Sequence, residues 1–433
     1  MNWFRAVQSV LLTVLTAAAH AEELQIATVN NAHMLTLQRL ASVFEKANPG
    51  VRLRWVTFEE GRLRQSVSVD VATGAGRFDV VTLGSLEAPV WGKKGWLVPI
   101  SDDAQYGMND LLQPIREALS FDGRLMAAPF YGESSMTLYR GDLLRRAGAS
   151  LPAQPTWEQV RVAAAKAHDP SNGVYGVCLR GKPGWGENMT LISTMVNSWG
   201  GQWFDMTWRP AIDTPAWKAA VAFYIDLLRR YGPPSAVANG YNENLALFEA
   251  GRCAIWVDAS VAVSTLLARD PALVSNLGWA HAPVADSPKG SRWLWSWALA
   301  VPKGSRHGET AMRFVKWATS RQYQQLVAGR EGWAAVPPGT RLSTYAEPAY
   351  RQAHPAAAVE LQAILGANPR DATVPPSPYV GVQLVPIPEF QAIGAVTGQQ
   401  ISAALTGQVT LEAALAQAQA AAEQKMRQAG YFR

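Results

Sequence analysis

The chain has 433 residues, of which 48% are hydrophobic and 17% are charged, and its formal net charge at pH 7 is +5. Because a single hydrophobic core stops growing at roughly 250 to 300 residues, this length predicts two domains. The basic residues form no Lys/Arg block and are interspersed with acidic residues, so the small positive net charge argues against nucleic acid as a partner.

Residues 1–21 have the layout of a cleavable secretory signal. Arg5 supplies the positive charge, an apolar stretch follows, and small residues end the segment, so cleavage is predicted after Ala21. Removing this leader takes away Arg5 and lowers the formal net charge from +5 to +4. The apolar stretch is shorter than the ~20 residues of a membrane helix, and no cysteine follows it to carry a lipid. We therefore expect an exported protein of a bacterial periplasm.

Strands alternate with helices at the start of the predicted mature chain. The elements follow the order strand, helix, strand, helix, strand at residues 24–29, 34–47, 51–56, 62–73 and 78–83. This order is typical of a parallel sheet with helices on both faces. Ligands bind beyond the carboxyl ends of such strands, where this sequence has Asn31, Glu60, Ser85 and Glu87.

A second unit of strands and helices follows after residue 131. Its predicted helices and strands, and those that follow it, lie at 156–168, 176–179, 215–231, 253–257, 297–301 and 308–320, with Thr156 as an N-cap. A proline-rich connection at 373–388 and a helical tail complete the chain. Cys178 and Cys253 lie in two of these strands, where an exported protein permits a disulfide and buried free cysteines are also common.

The segment from Gly184 to Asn188 combines an aromatic, a carboxylate and an amide between glycines. Trp185 offers a flat apolar face to the C–H side of a sugar or polyol, while Glu187 and Asn188 can hydrogen-bond its hydroxyls. Other tryptophans lie in similar polar surroundings, namely Trp256 beside Asp258 and the pair Trp295 and Trp297. The competing interpretation is that these large aromatics fill the core.

Cofactor and metal motifs are not matched. Residues 176–182 match the start of a phosphate-binding loop, but Pro183 stands where a magnesium-binding hydroxyl is required. Outside the leader, the histidines show no zinc-ligand spacing; they are His33, His168, His281, His307 and His354. We therefore expect no cofactor, no metal and no catalytic residue.

Four carboxylates make an enzyme the alternative to a binding protein. Two of them could act as acid and base on a glycosidic bond; they are Glu60, Glu133, Glu187 and Asp258. This alternative is a periplasmic glycosidase. The competing interpretation for each carboxylate is a solvated or helix-capping side chain.

Six segments, in this order and spacing, resemble the periplasmic solute-binding proteins of ABC importers, in the family 1 group that includes maltose-binding protein. The segments are 37–51, 78–81, 95–100, 129–144, 248–251 and 300–305. Residues 131–135 and 180–189 are most similar to the branch that binds sorbitol, mannitol and related polyols. The resemblance covers essentially the whole mature chain.

This resemblance implies a type II fold of two lobes, each a mainly parallel sheet flanked by helices, with a hinge and a ligand cleft between them. The implied N-lobe comprises residues 22–131 and 296–350, and the implied C-lobe comprises residues 132–295 and 351–433. A monomeric receptor would capture a sorbitol- or mannitol-like polyol and deliver it to a membrane permease. A receptor for a monosaccharide or short oligosaccharide is the alternative within this class.

The resemblance also assigns ligand contacts. Glu133 follows the first crossing between lobes, and Phe390 stands where relatives have a closing tryptophan, which implies a ligand shorter than a maltodextrin. The complete set of expected ligand contacts is Asn31, Glu60, Ser85, Glu87, Glu133, Trp185, Glu187, Asn188, Trp256, Asp258, Trp295, Trp297, Trp333 and Phe390.

Overall fold

A computed structural model describes residues 22–103 and 106–432, so the predicted leader lies outside the described residues. Its strands are β1 (Glu22–Val29), β2 (Val51–Phe58), β3 (Val80–Leu83), β4 (Leu97–Val98), β5 (Ser120–Phe121), β6 (Arg124–Leu125), β7 (Ala128–Glu133), β8 (Ser135–Arg140), β9 (Tyr175–Cys178), β10 (Cys253–Ala259), β11 (Leu277–His281) and β12 (Trp295–Pro302).

The helices, numbered separately from the strands, are α1 (Ala32–Ala47), α2 (Glu60–Thr73), α3 (Glu87–Lys93), α4 (Gln113–Ala118), α5 (Gly141–Arg146), α6 (Trp157–Ala167), α7 (Asn188–Ser198), α8 (Pro215–Tyr231), α9 (Tyr241–Glu249), α10 (Val261–Arg269), α11 (Gly308–Ala318), α12 (Arg321–Glu331), α13 (Leu342–Ala346), α14 (Pro348–Ala353), α15 (Ala357–Leu365), α16 (Phe390–Thr406) and α17 (Leu411–Gln428). Short 3₁₀ helices lie at Met108–Asp110, Pro170–Asn172, Ala236–Ala238, Pro271–Ser275 and Trp333–Ala335.

The first sheet is the centre of the N-lobe and has the strand order β2-β1-β3-β12-β4, with β7 also paired to β12. Its first three strands are parallel, as the alternation of strands and helices predicts. β12 runs antiparallel to β3, β4 and β7. Helices α1, α2 and α11 pack on this sheet, so it is buried on both faces, as is typical of α/β proteins.

The second sheet is the centre of the C-lobe and has the order β11-β8-β10-β9. β9 and β10 are parallel, whereas β8 runs antiparallel to both β10 and β11. The two-lobed α/β class is confirmed, but this sheet is mostly antiparallel, since β8 enters it from the first sheet after Ser134 alone and runs opposite to both of its neighbours. The one parallel pair, β9 and β10, is connected through the helices α7, α8 and α9, as parallel neighbours require.

The chain passes between the two sheets more than once. β7 ends in the first sheet and β8 begins the second, while β12 returns to the first sheet after β11. Near the end of the chain, α16 and α17 pack against each other and against α7 and α8. Helix α15 contacts β7 as well as β8, so it lies where the two sheets meet.

Several predicted elements match the observed ones. Thr156 caps α6, because its Oγ1 accepts a hydrogen bond from Gln159 N while Gln159 Oε1 accepts one from Thr156 N. Cys178 and Cys253, whose state the sequence leaves open, are joined by a disulfide with Cα atoms 6.1 Å apart. Among the described residues, no helix combines the length and apolar character that a membrane span requires.

Candidate functional site

A cavity lies between the two lobes and contains about 800 Å³ of empty space, including the part open to solvent. The N-lobe lines it with the end of β1, the start of α2 and the neighbouring strands β7 and β12. The C-lobe lines it with the loop after β9 and the start of α9. These are strand ends and helix starts, where ligands of α/β proteins are commonly bound.

Four N-lobe side chains reach the cavity because they share one face of two paired strands. Trp295 lies opposite Glu133 in the antiparallel register of β12 and β7, and Trp297 lies opposite Tyr131. Residues two positions apart on a strand point to the same face. All four therefore line the cavity together.

Arg64 is the central cation of the N-lobe wall. Its Nη2 lies 2.6 Å from Glu60 Oε1, one turn earlier on α2, and its Nη1 lies 3.3 Å from Glu87 Oε1. The Glu87 carboxylate is itself held, because its Oε2 accepts a hydrogen bond from Gly84 N at 3.0 Å. The Arg64 side chain is only 9% exposed, so both ion pairs are largely shielded from water.

Three tryptophans surround the Arg64 guanidinium, and we call Trp185, Trp295 and Trp297 the tryptophan cage. The guanidinium carbon lies 4.0, 4.8 and 4.9 Å from their respective ring centroids, within the range of a cation–π contact. Trp185 belongs to the C-lobe and lies edge-on to Trp295 at 6.0 Å between centroids. The cage therefore joins the two lobes.

Arg180 is the central cation of the C-lobe wall. Its Nε and Nη2 donate to the two carboxylate oxygens of Asp258 at 2.9 and 2.7 Å, and its Nη1 donates to Gly186 O at 3.0 Å. Burial alone would lower the pKa of Arg180, but the Asp258 carboxylate outweighs burial and holds this pKa well above its usual value. Arg180 therefore stays charged.

Glu187 follows the Trp185 loop and immediately precedes α7. Lys182 Nζ lies 3.4 Å from its Oε1 and Arg180 Nη1 lies 3.9 Å from its Oε2, but Oε2 has no hydrogen-bond partner among the described residues. Burial, followed by the charge of Glu60, raises the pKa of Glu187 to about 7. This buried acceptor lacks the partner that buried polar groups normally have.

Glu133 ends β7 and is 6% exposed. Burial raises its pKa to about 8; Arg180 opposes this shift, while Asp258 and Glu60 add to it. Near Glu133, the Asn31 side chain donates from Nδ2 to Tyr131 Oη at 3.0 Å and caps α1 through Oδ1. The cavity thus places the Glu133 carboxyl group, whose raised pKa favours the protonated form, beside polar groups that are held by hydrogen bonds.

Seven of the fourteen predicted ligand contacts line this cavity, and they come from both lobes. They are Asn31, Glu60, Glu133, Trp185, Glu187, Trp295 and Trp297. The other seven lie outside its wall.

Two polar side chains that follow β3, Ser85 and Glu87, are hydrogen-bonded to other groups of the protein. Ser85 Oγ accepts a hydrogen bond from Ser296 N at 3.1 Å, which ties β12 to the loop after β3. Glu87 accepts hydrogen bonds from Gly84 N and from the side chains of Arg64 and Gln391. Both act behind the cavity wall by positioning groups that reach it.

Three predicted C-lobe contacts are fully buried behind the wall. Asn188 donates to Gly398 O at 3.0 Å and accepts from Gly184 N at 3.1 Å, so it anchors the Trp185 loop to α16. Trp256 is fully buried, and its Nε1 donates to Asp258 Oδ2 at 3.1 Å. Asp258 therefore serves Arg180 and Trp256 and is not free for a ligand.

The two remaining predicted contacts are aromatic. Phe390 is fully buried and packs edge-on against Trp185 at 6.4 Å, so it supports the cage from behind. Trp333 lies in the 3₁₀ helix Trp333–Ala335, away from the cavity and beside Arg321 and Gln324. Sequence alone could not separate a supporting aromatic from a contacting one.

Sequence reasoning missed several cavity residues as individual contacts, namely Arg64, Tyr131, Arg180, Lys182 and Tyr241. Arg180, Lys182 and Tyr131 stand in the segments that carry the family resemblance, which is a usable signal. Arg64 stands on a helix whose pattern is that of a surface element, so no local signal identifies it. Among the described residues, no group of three or more His, Cys, Asp or Glu side chains could hold a metal ion.

Comparison with known proteins gives a consistent result. Residues 28–325 match the family described as bacterial extracellular solute-binding protein. The chain is 52% identical over 416 residues to the mannitol-binding protein of Pseudomonas aeruginosa, covering 96% of this chain and 95% of that protein.

Solved structures show the same similarity. An ABC transporter solute-binding protein of Agrobacterium vitis with bound D-mannitol is 51% identical and superposes with a TM-score of 0.93, covering 95% of this chain and all of that one. A solute-binding protein of Agrobacterium radiobacter in complex with ribitol has a TM-score of 0.82 at 24% identity, covering 94% of this chain and 99% of that one. The second likeness concerns the fold alone.

Proposed function

Because the chain is a member of the bacterial extracellular solute-binding protein family, and so a binding protein rather than an enzyme, we propose that it captures a sorbitol- or mannitol-like polyol between its lobes. Two relatives support this ligand class: the 52% identical protein is named for mannitol, and the 51% identical structure holds D-mannitol. Membership of this family argues against the glycosidase alternative.

One observation about this chain carries the proposal, namely that its interlobe cavity is lined by both cations and carboxyl groups. Arg64 and Arg180 line it together with Glu60, Glu133 and Glu187. Every hydroxyl of a polyol is both a donor and an acceptor, so a neutral ligand with a hydroxyl on each carbon can pair with both kinds of group along its length.

Capture would proceed by closure of the two lobes, a hinge motion known for periplasmic binding proteins. The two lobes are already in contact, because Gln391 Nε2 of α16 donates to Glu87 Oε1 behind the cavity wall at 3.2 Å and Trp185 packs against Trp295. A ligand that touches both walls binds the closed form more tightly than the open one and thereby shifts the population.

A ligand panel tests this proposal. The mature protein is titrated by calorimetry and by thermal shift with mannitol, sorbitol, ribitol, glucose and maltose, since only a bound ligand raises the melting temperature. We expect the hexitols to give the largest shifts. No binding heat and no thermal shift with any hexitol or pentitol would contradict a polyol receptor. A preference for glucose or maltose would favour the sugar-receptor alternative.

The remaining features of the proposal follow from the family. We propose that residues 1–21 direct export to the periplasm, that the closed protein is recognised by the permease of an ABC importer, and that it acts as a monomer. We also propose that the lobes divide near residues 131, 295 and 350; the sheet membership of β7, β8 and β12 supports the first two of these boundaries.

A further inference from the structure

We propose that Arg64 determines the ligand class of this site, because its guanidinium covers the aromatic cage that a sugar ring would need and so selects an open-chain polyol. This inference rests on the proposed function and adds to it a reason for preferring polyols over pyranoses. It reverses the expectation that the tryptophans serve as stacking platforms.

The Arg64 cation lies against the three rings of the tryptophan cage. The Arg64 guanidinium carbon lies 4.0 Å from the Trp185 ring centroid and within 4.9 Å of those of Trp295 and Trp297. A pyranose stacks its C–H face on an aromatic ring at van der Waals distance. The same space cannot hold both the guanidinium and a sugar ring.

Two carboxylates hold Arg64 in this position. Glu60 binds it at 2.6 Å and Glu87 at 3.3 Å, and Glu87 is in turn fixed by Gly84 N and by Gln391 of the other lobe. Moving the guanidinium off the rings would leave the 3% exposed Glu87 carboxylate without its cation. Removing one partner of a buried ion pair is strongly unfavourable.

The C-lobe closely approaches the ion pair of Arg64 and Glu60. A Cβ placed on Gly186 would lie 2.8 Å from Glu60 Oε1 and 3.0 Å from Arg64 Nη2. The Trp185 loop therefore packs directly on the Arg64–Glu60 ion pair in the closed form, and little room remains for the guanidinium to swing aside.

A pyranose and an open-chain polyol need different partners. A pyranose presents an apolar face that needs an exposed aromatic ring, whereas an extended polyol presents hydroxyls along its whole length. Arg64 Nε has no hydrogen-bond partner among the described residues, and Glu187 Oε2 likewise lacks one. Both polar atoms are therefore available to the hydroxyls of a polyol, whereas the three tryptophan rings are already in contact with the guanidinium.

The experiment measures a selectivity ratio in two variants and a control. Calorimetry gives Kd for mannitol and for methyl α-D-glucopyranoside, whose ring cannot open, in the wild type, Arg64→Met, Arg64→Lys and Arg62→Met. Arg62 is the matched control, since it is exposed on the same helix. Circular dichroism confirms that each variant is folded.

We expect the wild type to prefer mannitol strongly and Arg64→Met to reduce that preference by at least about tenfold, because the rings become available and the polyol loses a partner. Arg64→Lys keeps the charge without the planar fork and should fall between them, while Arg62→Met should match the wild type. An unchanged ratio in both Arg64 variants overturns the inference alone. A wild type that binds no polyol would instead refute the proposed function.

Discussion

His33 Nε2 lies 3.0 Å from Ser264 Oγ, and this hydrogen bond joins α1 of the N-lobe to α10 of the C-lobe. The His33 ring is 5% exposed and lies 5.4 Å from the ring of Tyr131 on the cavity wall. We expect opening of the lobes to separate the two partners and to admit water to the imidazole, so that the contact forms only when the lobes are closed.

This contact predicts that His33 weakens closure at acidic pH. Burial lowers its pKa to about 4; the nearby Glu360 carboxylate and the Ala335 carbonyl raise it and His354 lowers it further. An exposed histidine in the open form titrates near 6.5. The contribution of neutral His33 to closure is complete above pH 6.5 and is lost as the pH falls toward 4, at about 1.4 kcal/mol per unit.

The measurement compares the wild type with His33→Gln, which can still hydrogen-bond Ser264 but does not titrate. The ratio of their mannitol Kd values, determined between pH 7 and pH 4.5, should move in favour of the variant as the pH falls. His307→Gln is the control, because His307 pairs with Glu22 within the N-lobe. A ratio that is independent of pH would show that His33 does not titrate with closure.

Glu133 predicts the opposite pH dependence. Its pKa is about 8 in the closed form because it is buried, compared with about 4.3 for an exposed glutamate, so closure takes up a proton between these values. The stabilisation is complete below the lower value and is lost as the pH rises through 8. Mannitol binding should weaken between pH 6 and pH 9.

Glu133→Gln should flatten that dependence, because the amide imitates the protonated carboxyl group at every pH. Calorimetry over the same pH range provides the check, with the exposed Glu158→Gln as the matched control. Equal slopes for the wild type and Glu133→Gln would rule out Glu133 as the titrating group.

Glu187→Gln should weaken mannitol binding at least several-fold at pH 8, where the carboxylate is mainly charged. The change removes an acceptor that lies between Arg180 and Lys182, and an unmade buried hydrogen bond costs about 1 to 3 kcal/mol. Unfolding by denaturant should change little, since Oε2 of this group has no protein hydrogen bond to lose. An unchanged affinity of the variant for mannitol would show that Glu187 does not contact the ligand.

The disulfide between Cys178 and Cys253 predicts a measurable contribution to stability. It closes a segment of 75 residues, and a crosslink of this kind typically contributes about 2 to 4 kcal/mol. Replacing both cysteines by alanine should therefore lower the denaturation midpoint, and adding reductant to the wild type should do the same. Alkylation of both thiols in denatured, unreduced protein would disprove the bond.

Local elements were predictable because their signals are local. Thr156 and Gln159 form a capping box within four residues of sequence, and helix α8 begins and ends where Pro215 and Tyr231 indicate. The order of these elements, with the resemblance in residues 129–144 and 180–189, was enough for the two-lobed fold and the polyol class.

Tertiary structure decided which polar groups face the ligand. Glu87 and Asp258 looked equivalent to Glu133 and Glu187 in the sequence, yet the first two are bound by Arg64 and Arg180, while the other two face the cavity. Hydrogen bonds between residues more than twenty positions apart distinguish them, and no local pattern encodes such partners. Likewise, Arg64 became the centre of the tryptophan cage only when β12 and the Trp185 loop were brought together in space.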